Sequence, residues 1–496
     1  MSNRCYLGVD LGAESGRVMA GLFDGEKIIL EELRRFPNGP VQIGGTLRWD
    51  VLGLWSEIKK GLASAAQKYG RDISSVGVDT WGVDYVLLSQ NNEIIGQPFH
   101  YRDARTRGMM NKAFQRVSRE DIFAETGLQF LELNTLYQLL AAQQNTPEIY
   151  TVADSLLMMP DFFHWCLSGA KVSEFTEATT SQCLHPTKKN WAYDLLKQFE
   201  IPTHIFPEIV PPGAKVGSLL GEIAAETGLG RIDVVAPAAH DTGSAVAAVP
   251  TQKTGQPVWA YISSGTWSLV GAEINAANLN KDVLNLNFTN EGGVDDTYRL
   301  LKNIMGLWLV QRCKLAFEQR GNCMGYDELI QRAEREPAFR SLLNPDDQRF
   351  LNPADMTEAM SGFCRETHQP TPETEGQFIR CALESLALKY NEVIQSVEKL
   401  TGFEIEVIHI VGGGTQNQLL NQFTADACNK PVVTGPIEAT VLGNVLVQAR
   451  TSGEIGSLEE IRSVVRASCE LQQYEPQNPE SWMEAKQRFS QLLSHP

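Results

Sequence analysis

The stretch VVAPAAHDTGSAVAAVP, residues 234–250, sets one imidazole, one carboxylate and one hydroxyl (His240, Asp241 and Thr242) between an apolar run and a small-residue run. Residues 234–239 read as a buried strand and 243–245 as the start of a tightly packed helix. A carboxylate at such a junction sits where open α/β sheets bind ligands and where a general base would be placed. The same residues also suit a plainer structure, with Asp241 capping a helix and His240 satisfied in the core. The choice between the two depends on the rest of the chain.

Working outward, CYLGVDLGAESGRVMAGLF (5–23) reads as strand, polar turn and strand, with an Asp24-Gly25 turn into a third strand. About half a chain later, PVWAYISSGTWSLVGAEI (257–274) repeats this design around Ser263, Ser264, Gly265 and Thr266. A repeat of that kind predicts two related α/β halves. In the first turn, Gly12 and Gly16 let backbone NH groups face an anion, and Ser15 and Arg17 add donors. Asp10, at the strand end, is placed to hold a hydrated magnesium ion. An ordinary hairpin with a polar turn is the alternative.

Between the repeats, Leu52, Leu54, Trp55, Ile58 and Leu62 mark an amphipathic helix over 50–70. ISSVGVDTWGVDYV follows as a strand ending in Asp79, Trp81, Gly82 and Asp84, where an indole face and two carboxylates could grip a polyol or Trp81 could simply fill core. LLMMPDFFHWCLSG (156–169) reads as a helix closed by Gly169, with Met158 and Met159 as core filler. PPGAKVG leads into the Asp241 strand. NEGGVDDTYRLLKNIMGLWLVQRC reads as a glycine-rich link and then a helix, with Ile304, Leu307, Trp308 and Cys313 inward and Asn303 and Gln311 exposed or facing a cleft. Residues 373–400 form a long amphipathic helix. Gly412, Gly413 and Gly414 close a buried strand and would let a flat ligand lie on the backbone. Ala439 and Gly443 are close-packing residues. Residues 317–372 carry no legible chemistry.

With 496 residues the chain needs more than one core. A net charge of -17 without a basic run argues against nucleic acid and anionic membranes as partners. The N-terminal apolar stretch is too short for a signal peptide, and no run approaches a membrane span. Nine cysteines without a CxxC pair suit reduced thiols in the cytoplasm, Cys364 and Cys381 included. There is no Gly-Lys dipeptide and hence no P-loop, no GxGxxG, no HExxH and no GxSxG.

Taken together, VDLGAESGRV, DTWGVDYV, YRDARTRG, HDTGSA, ISSGTWSL and HIVGGGTQN resemble the FGGY family of carbohydrate kinases, in the actin-like ATPase superfamily. The strings NEGG, YRLLKNIMGLWL and FCRETHQP extend the resemblance over essentially the whole chain. It implies an α/β protein of two RNase H-like domains flanking a central cleft, a sugar-binding one over 1–245 and a nucleotide-binding one over 246–496. It also implies ATP-dependent phosphorylation of L-rhamnulose to the 1-phosphate, in L-rhamnose breakdown, with ATP and magnesium. Asp241 is then the general base, and Gly82, Asp84, His240, Asp241, Thr242 and Asn303 line the sugar. Ala13, Glu14, Ser15, Gly16, Arg17, Thr266, Gln311 and Gly413 fall on nucleotide-contacting positions, and Asp10 holds magnesium through water. L-fuculose or D-xylulose are alternative substrates, and an actin-like ATPase without kinase activity is the remote alternative. A small sugar is the expected partner. The oligomeric state stays open, a monomer being compatible with the sequence.

Overall fold

A computed structural model describes residues 4–493. The chain forms two compact units. The first comprises the residues up to Gly255 together with Glu273–Leu300 and Ala439–Cys469. The second comprises Gln256–Ala272, Leu301–Glu438 and the residues from Glu470 onward.

The first unit is built on a six-stranded sheet in the order Ala214–Ser218, Asp233–Ala236, Ile73–Thr80, Arg4–Leu11, Ser15–Phe23 and Ile28–Pro37. The strands around Asp24-Gly25 and around residues 12–14 pair antiparallel, as the turn chemistry predicts. Arg4–Leu11, Ile73–Thr80 and Asp233–Ala236 run parallel, with Asp10 opposite Asp79 in register. Their side chains are buried on both faces, Cys5, Leu7, Val9, Val76 and Val78 being fully inaccessible. That is why these strands read as continuous apolar runs rather than as alternation. Helices Val51–Tyr69, Met159–Ser168 and Ala439–Thr451 pack on the sheet.

The second unit repeats the plan. Trp259–Ser264 pairs antiparallel with Trp267–Ile274 and parallel with Val407–Val411, which pairs parallel with Val432–Thr434. Tyr298–Met305, where the chain passes from the first unit into the second, lies beside Trp267–Ile274. Gln472–Tyr474 closes the far edge antiparallel. Each sheet therefore has an antiparallel hairpin, two further parallel strands and a late antiparallel edge in corresponding places. Helix Glu375–Thr401 packs against Gln418–Cys428 and Tyr326–Arg335.

Three local expectations are corrected. Residues 298–305 form a strand, not part of a helix, and the helix starts only at Trp308. Ile304 is buried there as expected. The apolar Leu156, Leu157 and Met158 belong to the strand Ala153–Met158, and the helix begins at Met159 with Pro160 in its first turn, a position where the missing NH costs nothing. Leu52 is exposed, because the start of the helix at the Asp50 cap turns Val51, Leu54, Ile58 and Leu62 inward instead. All nine cysteines are free thiols, with Cys364 and Cys381 buried and in mutual hydrogen-bond contact. Among the described residues no helix is long and apolar enough to cross a membrane.

Candidate active site

Three carboxylates collect at the carboxyl ends of the parallel strands of the first unit. Asp10 and Asp79 end adjacent strands, and Asp241 opens the helix Asp241–Ala247 just beyond the third. An isolated parallel bridge ties Thr80 to His240, so the HDT segment lies in register with the DTWG segment. Burial pushes the Asp79 carboxyl well above its ordinary range, and the charges of Asp10 and Asp241 push the same way. Asn444 donates to Asp79 Oδ2 at 2.5 Å. Arg17 forms an ion pair with Asp10 Oδ2.

Asp241 has two unlike oxygens. Its Oδ1 accepts from the Thr242 NH and from Thr242 Oγ1 at 3.0 Å, and lies 3.4 Å from His240 Nε2. Its Oδ2 is left without a hydrogen bond among the described residues, on a side chain that keeps 31% exposure. Burial raises the carboxyl above its ordinary range, opposed by His240. The site thus holds one carboxylate oxygen fixed and offers the other.

His240 is fixed from behind by two residues that the sequence did not single out. Arg299, fully buried, places its two terminal nitrogens 3.2 and 3.1 Å from His240 Nδ1. Its Nε donates to the Gly292 carbonyl at 2.8 Å, and Glu291 Oε2 lies 3.2 Å from the guanidinium and 3.3 Å from Nδ1. Arg299 and Glu291 stand in NEGG and YRLLKNIMG, read above only as part of a link and a helix and for their resemblance. The charge pattern Glu-x7-Arg carries no local signal, because the pairing is made across a turn.

The Thr/Ser-rich segment after Ser173 supplies a further layer. Glu174 Oε2 accepts from Thr176 Oγ1 at 2.5 Å and from the NH groups of Glu177 and Ala239, both at 3.1 Å. Thr176 Oγ1 in turn accepts from the His240 NH at 3.2 Å. Burial pushes the Glu174 carboxyl up to about 7.

The DTWGVD turn follows a different logic. Asp84 is fully buried and accepts from Trp49 Nε1 at 2.6 Å, Trp81 Nε1 and the Tyr101 NH at 3.1 Å each, and Gln138 Nε2 at 2.7 Å. It holds two indoles stacked 3.9 Å apart. Burial lifts its carboxyl to about 6. Between them Gly82 precedes Val83, which has φ 70°, a strained value for a β-branched residue, and whose NH donates to Thr180 Oγ1 at 3.0 Å.

The turn of residues 12–14 is closed by Gly12 NH to the Ser15 carbonyl at 2.9 Å and by Asn38 Nδ2 to the Gly12 carbonyl at 2.7 Å. Gly16 is needed for packing, since a Cβ there would lie 2.3 Å from the Phe36 ring. Ala13, Glu14, Ser15 and Arg17 surround this turn as expected from their order in the chain.

In the second unit, the Thr266 carbonyl accepts from the NH groups of Gly306 and Trp308 at 3.2 Å each. Gln311 begins the second turn of the Trp308 helix, and its buried Oε1 has no hydrogen-bond partner. Gly414 presses on Ser264, whose Oγ would be 2.0 Å from a Cβ, whereas a Cβ at Gly413 would meet nothing within 4 Å. The triple glycine is thus half packing and half open surface. Asn303 is half-buried on the strand Tyr298–Met305.

A cavity of about 500 Å³ in the first unit, lined by Phe175, Lys189, Pro211, Asp295, Asp296 and Arg450, holds none of these residues. Its cations are already paired, Lys189 with Asp296 and Arg450 with Asp295.

Two sheets of corresponding central strand order, each with its turns at the carboxyl ends of parallel strands, define an actin-like two-domain α/β protein. Similarity narrows the class. Models of the N-terminal and C-terminal domains of the FGGY family of carbohydrate kinases match residues 5–248 and 260–452, so the chain belongs to that family. It is 44% identical to the rhamnulokinase of Bacteroides thetaiotaomicron over 98% of this chain and 99% of that one. To the rhamnulokinase of Pectobacterium atrosepticum it is 42% identical over 100% and 98%. Among solved structures, a ligand-bound xylulose kinase from Lactobacillus acidophilus superposes with a TM-score of 0.81 at 15% identity, over 99% of this chain and 97% of that one. Glycerol kinase of Plasmodium falciparum with ADP gives 0.78 at 16%, over 99% and 98%. At such identities these two speak for the fold.

Proposed function

We propose that the protein transfers the γ-phosphoryl group of ATP to the primary hydroxyl of L-rhamnulose, giving L-rhamnulose 1-phosphate and ADP. Similarity to rhamnulokinases over nearly the full length supports the substrate, and the free Oδ2 of Asp241 is the observation that carries the chemistry. Asp241 Oδ2 accepts the hydroxyl proton as the oxygen attacks phosphorus, while Thr242 keeps Oδ1 in place. Gly82, His240, Thr242 and Asn303 line the sugar, and Asp84 acts through the indoles of Trp49 and Trp81. Ala13, Glu14, Ser15, Gly16 and Arg17 of the first unit contact ATP. So do Thr266, Gln311 and Gly413 of the second, the unpaired Gln311 Oε1 being suited to a ligand donor.

The hard carboxylate oxygens of Asp10 and Asp79 suit magnesium. Among the described residues no set of three or more His, Cys, Asp or Glu side chains is arranged to cage a metal, so an ion there would draw on water and phosphate oxygens for the rest of its shell. Asp10 would hold it through water. When bound, the ion neutralises charge on the transferring phosphates in a chain that is itself strongly acidic.

The test is ADP release with magnesium and ATP across L-rhamnulose, L-fuculose, D-xylulose and glycerol, with a sugar-free control. L-rhamnulose is expected to give the highest kcat/KM. A higher value with another sugar overturns the substrate, and equal ADP release without sugar overturns the kinase reading.

A further inference from the structure

We propose that Arg299 is a positioning residue that sets the tautomer of His240, so that Nδ1 is a bare acceptor and the proton sits on Nε2, facing Asp241. The inference rests on the assignment of Asp241 as base.

The geometry leaves His240 Nδ1 little choice. Both terminal nitrogens of a fully buried guanidinium lie 3.1–3.2 Å from it, and a guanidinium only donates. A proton on Nδ1 would point at those NH groups. Glu291 Oε2, 3.3 Å from Nδ1, is the one acceptor nearby that could draw a proton there, but it also lies 3.2 Å from Arg299 NH1. Arg299 thus occupies both the nitrogen and the carboxylate that would compete for it. The guanidinium is in turn aimed by Nε, which donates to the Gly292 carbonyl at 2.8 Å. Gly292 is held by its own NH, donating to Thr179 Oγ1 at 2.8 Å.

At the other edge of the ring, Nε2 lies 3.4 Å from Asp241 Oδ1. With the proton on Nε2, His240 is a donor on the Oδ1 side. Thr242 NH and Oγ1 donate to the same oxygen. Two hydrogen bonds and the nearby imidazole thus hold Oδ1, and Oδ2 is the oxygen left for the sugar hydroxyl. With the proton on Nδ1 instead, a bare Nε2 lone pair would face a carboxylate oxygen, and the ring would turn away from it. A buried arginine that acts only through His240 thereby decides which oxygen of Asp241 works.

The tautomer is read directly by ring nitrogen NMR on the full chain labelled with ¹⁵N-histidine, in which His240 is identified among eight histidines as the signal lost in His240→Gln. Nδ1 is expected at the unprotonated, acceptor-type shift and Nε2 at the protonated one, at neutral pH and without ligand. A protonated Nδ1 overturns the proposal, and this measurement needs no Arg299 variant to fold. In Arg299→Met, checked for a cooperative melt, the signals are expected to exchange toward the Nδ1–H form. The kcat should fall at least tenfold, with the KM for ATP unchanged. An unchanged tautomer in a folded variant overturns the role of Arg299. Asp241→Asn separates the two layers: if it keeps near-full turnover, Asp241 is not the base, whereas the tautomer result would still report on Arg299.

Discussion

Asp241, with 31% side-chain exposure, and Glu174, fully buried, each yield their own expectation. Replacing Asp241 by Asn removes the free oxygen and leaves the shape. Turnover in the ADP-release assay should fall by about 10²–10⁴-fold, the usual worth of a general base, with ATP binding by calorimetry retained. Glu174 is fully buried, bonded to the Ala239 NH and to Thr176 Oγ1. Burial lifts its folded value to about 7 from the ordinary 4.5, so between those values the folded chain keeps a proton that the unfolded chain has lost. Its contribution to stability is therefore largest below the lower value and is lost as pH rises to 7, amounting to about 3 kcal/mol in all. Urea midpoints at pH 5 and 7.5 should differ less in Glu174→Gln than in the parent, and an unchanged slope would discard the assignment. His240, Asp241 and Thr242 were legible in the sequence because three reactive groups stood together between an apolar run and small residues. Glu174, Glu291 and Arg299 were not. They act through backbone NH groups or another side chain, across 64 residues from Thr176 to His240 and 59 from His240 to Arg299, distances at which no local pattern exists.

At the scale of elements, the helix Ala439–Thr451 packs closely on the Asp241–Ala247 helix. Gly443 lies so near the Asp241–Ala247 helix that an added Cβ would be 1.9 Å from the Ser244 carbonyl oxygen. Gly443→Ala should therefore cost about 1–3 kcal/mol in urea unfolding and displace Asp241, lowering kcat more than it raises the KM for sugar. A variant with parental stability and rate would mean that the helices separate freely. The sequence showed Ala439 and Gly443 as small residues suited to close packing, without showing what they pack on. It also showed both hairpins, because a turn of glycine and aspartate between apolar runs is a short-range signal. It misled over residues 298–305, where Leu300, Leu301, Ile304 and Met305 fit a helical stripe as well as a strand buried on both faces. Only pairing with Trp267–Ile274 decides between them.

For the whole molecule, the interleaving of the units matters more than their likeness. Arg462 NH1 donates to Thr254 Oγ1 and to Glu273 Oε1, both at 3.0 Å, so one guanidinium joins all three stretches of the first unit. Asn444 and Gln448 donate to the Gly77 and Leu7 carbonyls of the central strands at 3.2 and 2.9 Å. A fragment ending at residue 255 keeps Thr254 and the Gly77 and Leu7 carbonyls but lacks Glu273, Asn444, Gln448 and Arg462, the partners that tie them. It should bind a hydrophobic dye and show no cooperative near-UV melt, whereas the full chain melts cooperatively. A fragment with a sharp melt of its own would show that the sheet needs no later helix. During synthesis the same order of assembly sets a waiting time. The sheet that carries Asp10 and Asp79 is translated early, yet its covering helix and the Arg462 tie emerge some two hundred residues later. At about 5–20 residues per second, the half-built sheet waits roughly 10–40 s with one apolar face uncovered, an interval in which a nascent chain depends on holdase chaperones rather than on its own contacts.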